Sequence, residues 1–182
     1  CNPGERPEGA AAPVGHLHAQ AGWSVGLPSR VAQDAGQGHE VEVVAGPVAR
    51  RHPIYVDDAR FLREQTDRMV KYTLPGPMTM VDTLFDAHYR SREKLAWAFA
   101  EILNEEARAI EATGVDVIQF DEPAFNVYFD EVRDWGVRTL ERAAQGLSCR
   151  TAVHICYGYG IKANVEWKQT LGSEWRQYEE TF

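Results

Sequence analysis

Two short apolar runs, each ending in reactive residues, give the chain its pattern. Val115, Val117, Ile118 and Phe120 lead to Asp121, Glu122 and Pro123, and Thr151, Ala152 and Val153 lead to His154, Ile155 and Cys156. Runs this short, bounded by turn residues, predict buried strands over Val115–Phe120 and Arg150–Cys156, and Pro123 stops the first. Between them, Trp135, Leu140, Ala143 and Ala144 recur at helical spacing, which predicts a helix from about Asp130 to Gln145 closed by Gly146. Upstream, Leu95, Phe99, Ile102, Leu103 and Ile110 mark a longer helix, with Ser91 as its N-cap and Gly114 where a left-handed C-terminal cap belongs.

The earlier part is less regular. Met69 to Leu74 predicts a strand, and Pro75, Gly76 and Pro77 force an abrupt turn at its end. From Glu40, the residues Val41, Val43 and Val44 predict a strand ended by Gly46 and Pro47, and Pro53 to Val56 resume extended structure, together an N-terminal hairpin or flap. Asp57 or Asp58 is expected to cap a short helix through about Thr66, with Phe61 and Leu62 on its buried side. Residues 1–39 show no apolar period and are left unassigned, irregular and outside the core. After Gly158 and Gly160 the chain turns, and Ser173 is expected to cap a last helix with Trp175 and Tyr178. Alternating strands and helices with short connections predict parallel strands and an α/β fold. A complete eight-fold barrel takes about 250 residues, so the pattern describes a partial TIM (β/α)8 barrel of about three βα units over residues 40–182, plus the hairpin or flap.

Composition narrows the function. The 182 residues are 44% hydrophobic and 25% charged, as in one soluble globular domain. A net charge of −8 without a Lys/Arg block argues against a nucleic-acid partner and for a small-molecule substrate. The sequence lacks the roughly 18-residue apolar run of a membrane span, and no basic-then-apolar leader opens it, so the expected location is cytoplasmic and no membrane partner is expected. Three cysteines, one of them two residues from a histidine, argue against a disulfide framework.

The candidate chemistry lies at the ends of the two strands. His154 and Cys156 stand at i, i+2, so in extended chain both side chains face one side of the sheet and can grip one ion. Imidazole and thiolate suit Zn²⁺, but two ligands fill half of a four-coordinate shell, and the same pair also reads as a buried histidine beside a core cysteine. His16 and His18 form a second possible metal pair, or a solvated loop. Asp121 and Glu122 point to opposite faces in extended chain, which rules out a simple acid/base dyad. One should face the barrel mouth, where a carboxylate can hold a substrate ammonium group or act as a base. The plainer alternative is a helix cap or a loop salt bridge.

Three motifs in register, LPGPMT from Leu74, IQFDEPA from Ile118 and HICY from His154, resemble the vitamin-B12-independent methionine synthase family. The resemblance spans about Glu40 to Phe182, and its texture is closer to the short single-barrel members. It implies zinc-dependent transfer of a methyl group to the thiol of homocysteine, forming methionine. By the same resemblance His154 and Cys156 are zinc ligands and Asp121 contacts the homocysteine amino group. The family's other two ligands, a glutamate and a cysteine, come from later in its barrel, so these 182 residues alone are expected to bind zinc weakly and transfer no methyl group. The long folate-using members carry a tryptophan where this chain has Thr83, which leaves the donor as methyltetrahydrofolate or a methylated corrinoid. Two alternatives stand beside this reading: a uroporphyrinogen-decarboxylase-like barrel enzyme, and an inactive barrel fragment.

Overall fold

The computed structural model describes residues 23–24, 31–33 and 40–155. Its centre is a parallel sheet of three strands, β5 (Lys71–Pro75), β7 (Val117–Asp121) and β8 (Arg150–His154), in that spatial order. Lys71 pairs with Val117 and Val117 with Arg150, so the three strands start level and end level. Their alternation is plain in β7, where Ile118 and Phe120 are buried and Val117, Gln119 and Asp121 are partly open. A second sheet is built from β2 (Val31–Gln33), β3 (Glu40–Val44) and β6 (Leu84–Asp86), with β3 antiparallel to β2 and parallel to β6. The short strands β1 (Trp23–Ser24) and β4 (Ala49–Arg50) pair antiparallel. Both described stretches before residue 40 are thus strands, where an irregular segment was expected.

Helix α3 (Arg92–Glu111) is the main buttress. Ser91 accepts a hydrogen bond from the Lys94 N–H, and the five apolar residues that predicted the helix are all buried. After its last turn Gly114 takes φ +92°, which any side chain would strain, and the chain enters β7. Burying a Leu, Ile or Phe side chain is worth about 1.5–3 kcal/mol, so this stripe is what holds α3 in place. The predicted helix after β7 is present but interrupted. A 3₁₀ turn (Pro123–Asn126) precedes α4 (Phe129–Glu131), a π turn (Val132–Gly136) buries Val132 and Trp135, and α5 (Val137–Ala144) completes it against α3. Gly146 closes it with φ +76°.

Four expectations are corrected. The strand before His154 is not buried: Ala152 is half-buried and the other residues of β8 are exposed, because β8 is the outermost strand of its three-stranded sheet among the described residues. Pro53 to Val56 is not extended: α1 begins at Val56 and runs to Glu64, and its N-cap is Tyr55, without a side-chain cap from either aspartate. Asp57 and Asp58 lie inside the first turn, where negative charge still favours the helix dipole. Phe61 and Leu62 are not buried but 65% and 41% exposed; Val56 and Ala59 form the inner face. At about 100° per residue Phe61 falls on the far side of the helix from that pair. Phe61→Glu should therefore change stability by no more than about 0.5 kcal/mol; a urea midpoint shifted well beyond that would mean that this face is covered. The Pro75–Gly76–Pro77 turn also does more than end a strand. Gly76 is extended and Pro77 takes the first position of helix α2 (Pro77–Asp82), where its missing N–H costs nothing. The expected helix at Ser173 lies outside the described residues.

Candidate functional site

The register carries Pro75, Asp121 and His154 side by side to the C-terminal ends of three parallel strands. Two backbone hydrogen bonds extend the sheet past its last pairs: the Gly76 N–H donates to the Asp121 carbonyl at 2.8 Å, and the Glu122 N–H donates to the His154 carbonyl at 2.9 Å. In α/β folds this is the end at which ligands collect. Asp121 Oδ1 lies 3.3 Å from His154 Nδ1, an ion pair when the imidazole is protonated, with the two side chains 35% and 50% exposed. Both reactive groups are thus accessible and in contact with each other.

Two neighbours that sequence reasoning did not single out complete this face. Gln119 lies two residues before Asp121 and therefore on its side of the sheet; its Nε2 donates to Asp121 Oδ1 at 2.7 Å, and its Oε1 accepts from Lys71 Nζ at 2.6 Å. A polar row thus crosses from β5 through β7 to His154 on β8. The period-2 relation of Gln119 to Asp121 was the available signal.

Glu122 turns the other way. It has no exposed surface, and its carboxylate accepts hydrogen bonds from the Met78 N–H at 3.0 Å, the Thr79 N–H at 2.8 Å and the Thr79 hydroxyl at 2.7 Å. It is the cap of α2, supplied from another strand end. Burial pushes its pKa up to about 7, even though the three donors pull the other way. The adjacent carboxylates thus divide into an accessible Asp121 and a sequestered Glu122, as their opposite faces require.

Among the described residues no group of three or more His, Cys, Asp and Glu side chains is placed to hold a metal ion. Cys156, His16 and His18 lie outside the described residues. His154 nevertheless fits a ligand's role. An imidazole whose Nδ1 faces a carboxylate leaves Nε2 for the ion, and a carboxylate behind a metal-bound histidine is the usual orienting partner.

Residues 21–159 match the family model described as the cobalamin-independent synthase catalytic domain. The chain belongs to that family. The match begins ahead of Glu40, where the motif resemblance was expected to start, and takes in β1 and β2. Among curated relatives, the methionine synthase of Thermococcus kodakarensis is 37% identical over 108 residues, covering 59% of this chain and 32% of that protein. The methionine synthase of Thermoplasma acidophilum is 37% identical over 115 residues, 59% of this chain and 33% of that one. The structure of a B12-independent methionine synthase from Shewanella sp. W3-18-1 in complex with selenomethionine superposes with a TM-score of 0.77 at 59% identity, covering 92% of this chain and 50% of that chain. The chain therefore spans about a third of these curated relatives and half of the solved one. With that neighbour, the parallel strands and their helices are part of a TIM barrel of this synthase family.

Proposed function

We propose that the protein containing this chain transfers a methyl group to the thiol of homocysteine, forming methionine, and that the β7–β8 rim is part of its active site. The observation that carries this reading is the contact of Asp121 with His154 at the aligned ends of adjacent parallel strands, in a chain whose match to the synthase family includes both residues. Asp121 binds the substrate ammonium group. Its carboxylate is accessible, already positioned by Gln119, and gains a charge-assisted hydrogen bond from a cationic amine. His154 and Cys156 hold zinc, the histidine with its ring oriented by Asp121. When bound, zinc supplies the Lewis acidity that keeps a thiol as its nucleophilic thiolate near neutral pH.

The donor is methyltetrahydrofolate or a methylated corrinoid. Thr83 follows α2, and its hydroxyl donates to the Met80 carbonyl at 3.0 Å, so this position offers no aromatic surface to a pterin ring. That favours a donor held without stacking there. Among the described residues no helix is long and apolar enough to cross a membrane.

Asp121→Asn tests the substrate role. It keeps the side chain's size but removes the charge, and losing a hydrogen bond to a charged group costs roughly 1.5–3 kcal/mol, so the homocysteine dissociation constant should rise about 10- to 100-fold. Zinc should stay bound, because the asparagine Oδ1 can still accept a hydrogen bond from the His154 ring. Calorimetry with the whole protein would refute the assignment if homocysteine affinity were unchanged.

A further inference from the structure

Residue 122 makes two separate connections at the rim. Its backbone N–H reaches the His154 carbonyl on β8, while its buried carboxylate collects two N–H groups and a hydroxyl from the start of α2, which follows β5. The preceding carbonyl, that of Asp121, accepts from Gly76 in the β5–α2 turn. The ends of three strands are thus stitched together through two consecutive residues. Gly76 shows how closely the parts approach: a Cβ there would stand 2.2 Å from Glu122 Cδ and 2.3 Å from its Oε1.

As a helix cap alone the arrangement is a poor choice. A short polar side chain at position 76 would satisfy the same donors locally, whereas a carboxylate without solvent carries a desolvation penalty. What a local cap cannot do is tie α2 to the backbone between Asp121 and His154. We propose that Glu122 is a positioning residue, which sets the Asp121 carboxylate against the His154 imidazole by locking the backbone on both sides of that pair.

The proposal rests on the reading of Asp121 and His154 as substrate and metal residues, so its test has one readout that needs neither ligand. The ¹⁵N resonances of the His154 ring, assigned with His154→Gln in the metal-free whole protein, report the contact with Asp121 directly. Homocysteine affinity of the zinc-loaded protein is the second readout. Glu122→Ala removes the anchor, and Thr79→Val removes only the hydroxyl at 2.7 Å and keeps the protein folded if the first variant fails to fold. Ile110→Ala is the control: it is buried in the last turn of α3, which leads to the opposite end of β7.

Both rim variants should move the His154 ring resonances, and Glu122→Ala should weaken homocysteine binding about tenfold, the low end of what loss of an outer-shell partner costs a metal site in affinity or activity. Ile110→Ala should lower the denaturation midpoint yet leave ring and affinity as in the parent. A folded Thr79→Val protein with the parent's ring resonances would overturn the proposal, and so would an Ile110→Ala protein that moved them equally. If the parent protein bound no homocysteine, the functional reading would fall, and the ring resonances alone would decide whether Glu122 positions the pair.

Discussion

Glu106→Ala is expected to cost about 3–5 kcal/mol of folding stability, the range for removing one partner of a buried ion pair. Glu106 sits in α3 with no exposed side chain. Its Oε2 pairs with Arg50 Nε at 2.6 Å, and its Oε1 accepts from the N–H groups of Ile54 at 3.0 Å and Tyr55 at 2.7 Å. Alanine would leave a guanidinium that is only 14% exposed without its counter-charge, together with two N–H groups at the start of α1. Arg50 Nη2 already lacks a partner among the described residues, so the guanidinium has little to fall back on. Replacing both members by apolar residues, Arg50→Met with Glu106→Leu, should recover part of the loss, because the desolvation penalty goes with the pair. Urea denaturation of the parent, single and double variants measures this. A single variant within 1 kcal/mol of the parent would mean that the pair is hydrated.

Phe120→Ala should be comparably severe, at about 3–5 kcal/mol. Phe120 is 1% exposed in the middle strand of the parallel sheet, opposite Leu74 of β5 and Val153 of β8. Its ring fills the space between the sheet and the helices, and the surrounding side chains can close the resulting cavity only in part. Because Asp121 is the next residue, the loss should also loosen the rim. The check is the denaturation midpoint together with amide exchange across β7, where protection should fall most. Unchanged protection there would mean that Phe120 packs less tightly than its burial indicates.

The parts of the fold legible in the sequence were those set by neighbours in the chain. Ser91 and Gly114 mark the two ends of α3 by local chemistry, and the apolar runs before Asp121 and His154 are short enough to be strands. Their parallel pairing followed from the helix between them. What escaped depends on distant partners. Glu106 reads as an ordinary helix-surface charge until Arg50 and the start of α1 are placed against it. Glu122 is indistinguishable from Asp121 as a candidate until α2 turns its N-terminus toward one of them. Phe61 and Leu62 look like core residues in isolation, but α1 lies on Val56 and Ala59 instead. Gln119 carries no chemical signal of its own in the sequence, because an amide neither titrates nor attacks, although its spacing puts it beside Asp121. The roles proposed for Asp121, His154 and Cys156 come from the resemblance of the three motifs alone, since periodicity assigns no chemistry to any of them.

His154 and Cys156 are proposed to bind one metal ion at this rim. Cobalt(II) titration of the chain tests this most directly, because a thiolate bound to cobalt gives a near-ultraviolet charge-transfer band that oxygen and nitrogen ligands do not. Such a band is expected in the parent chain, with its loss in Cys156→Ser and a weakened affinity in His154→Ala. A band that survives Cys156→Ser, placing the thiolate at another cysteine, or the absence of any band in the parent chain, would contradict the proposal.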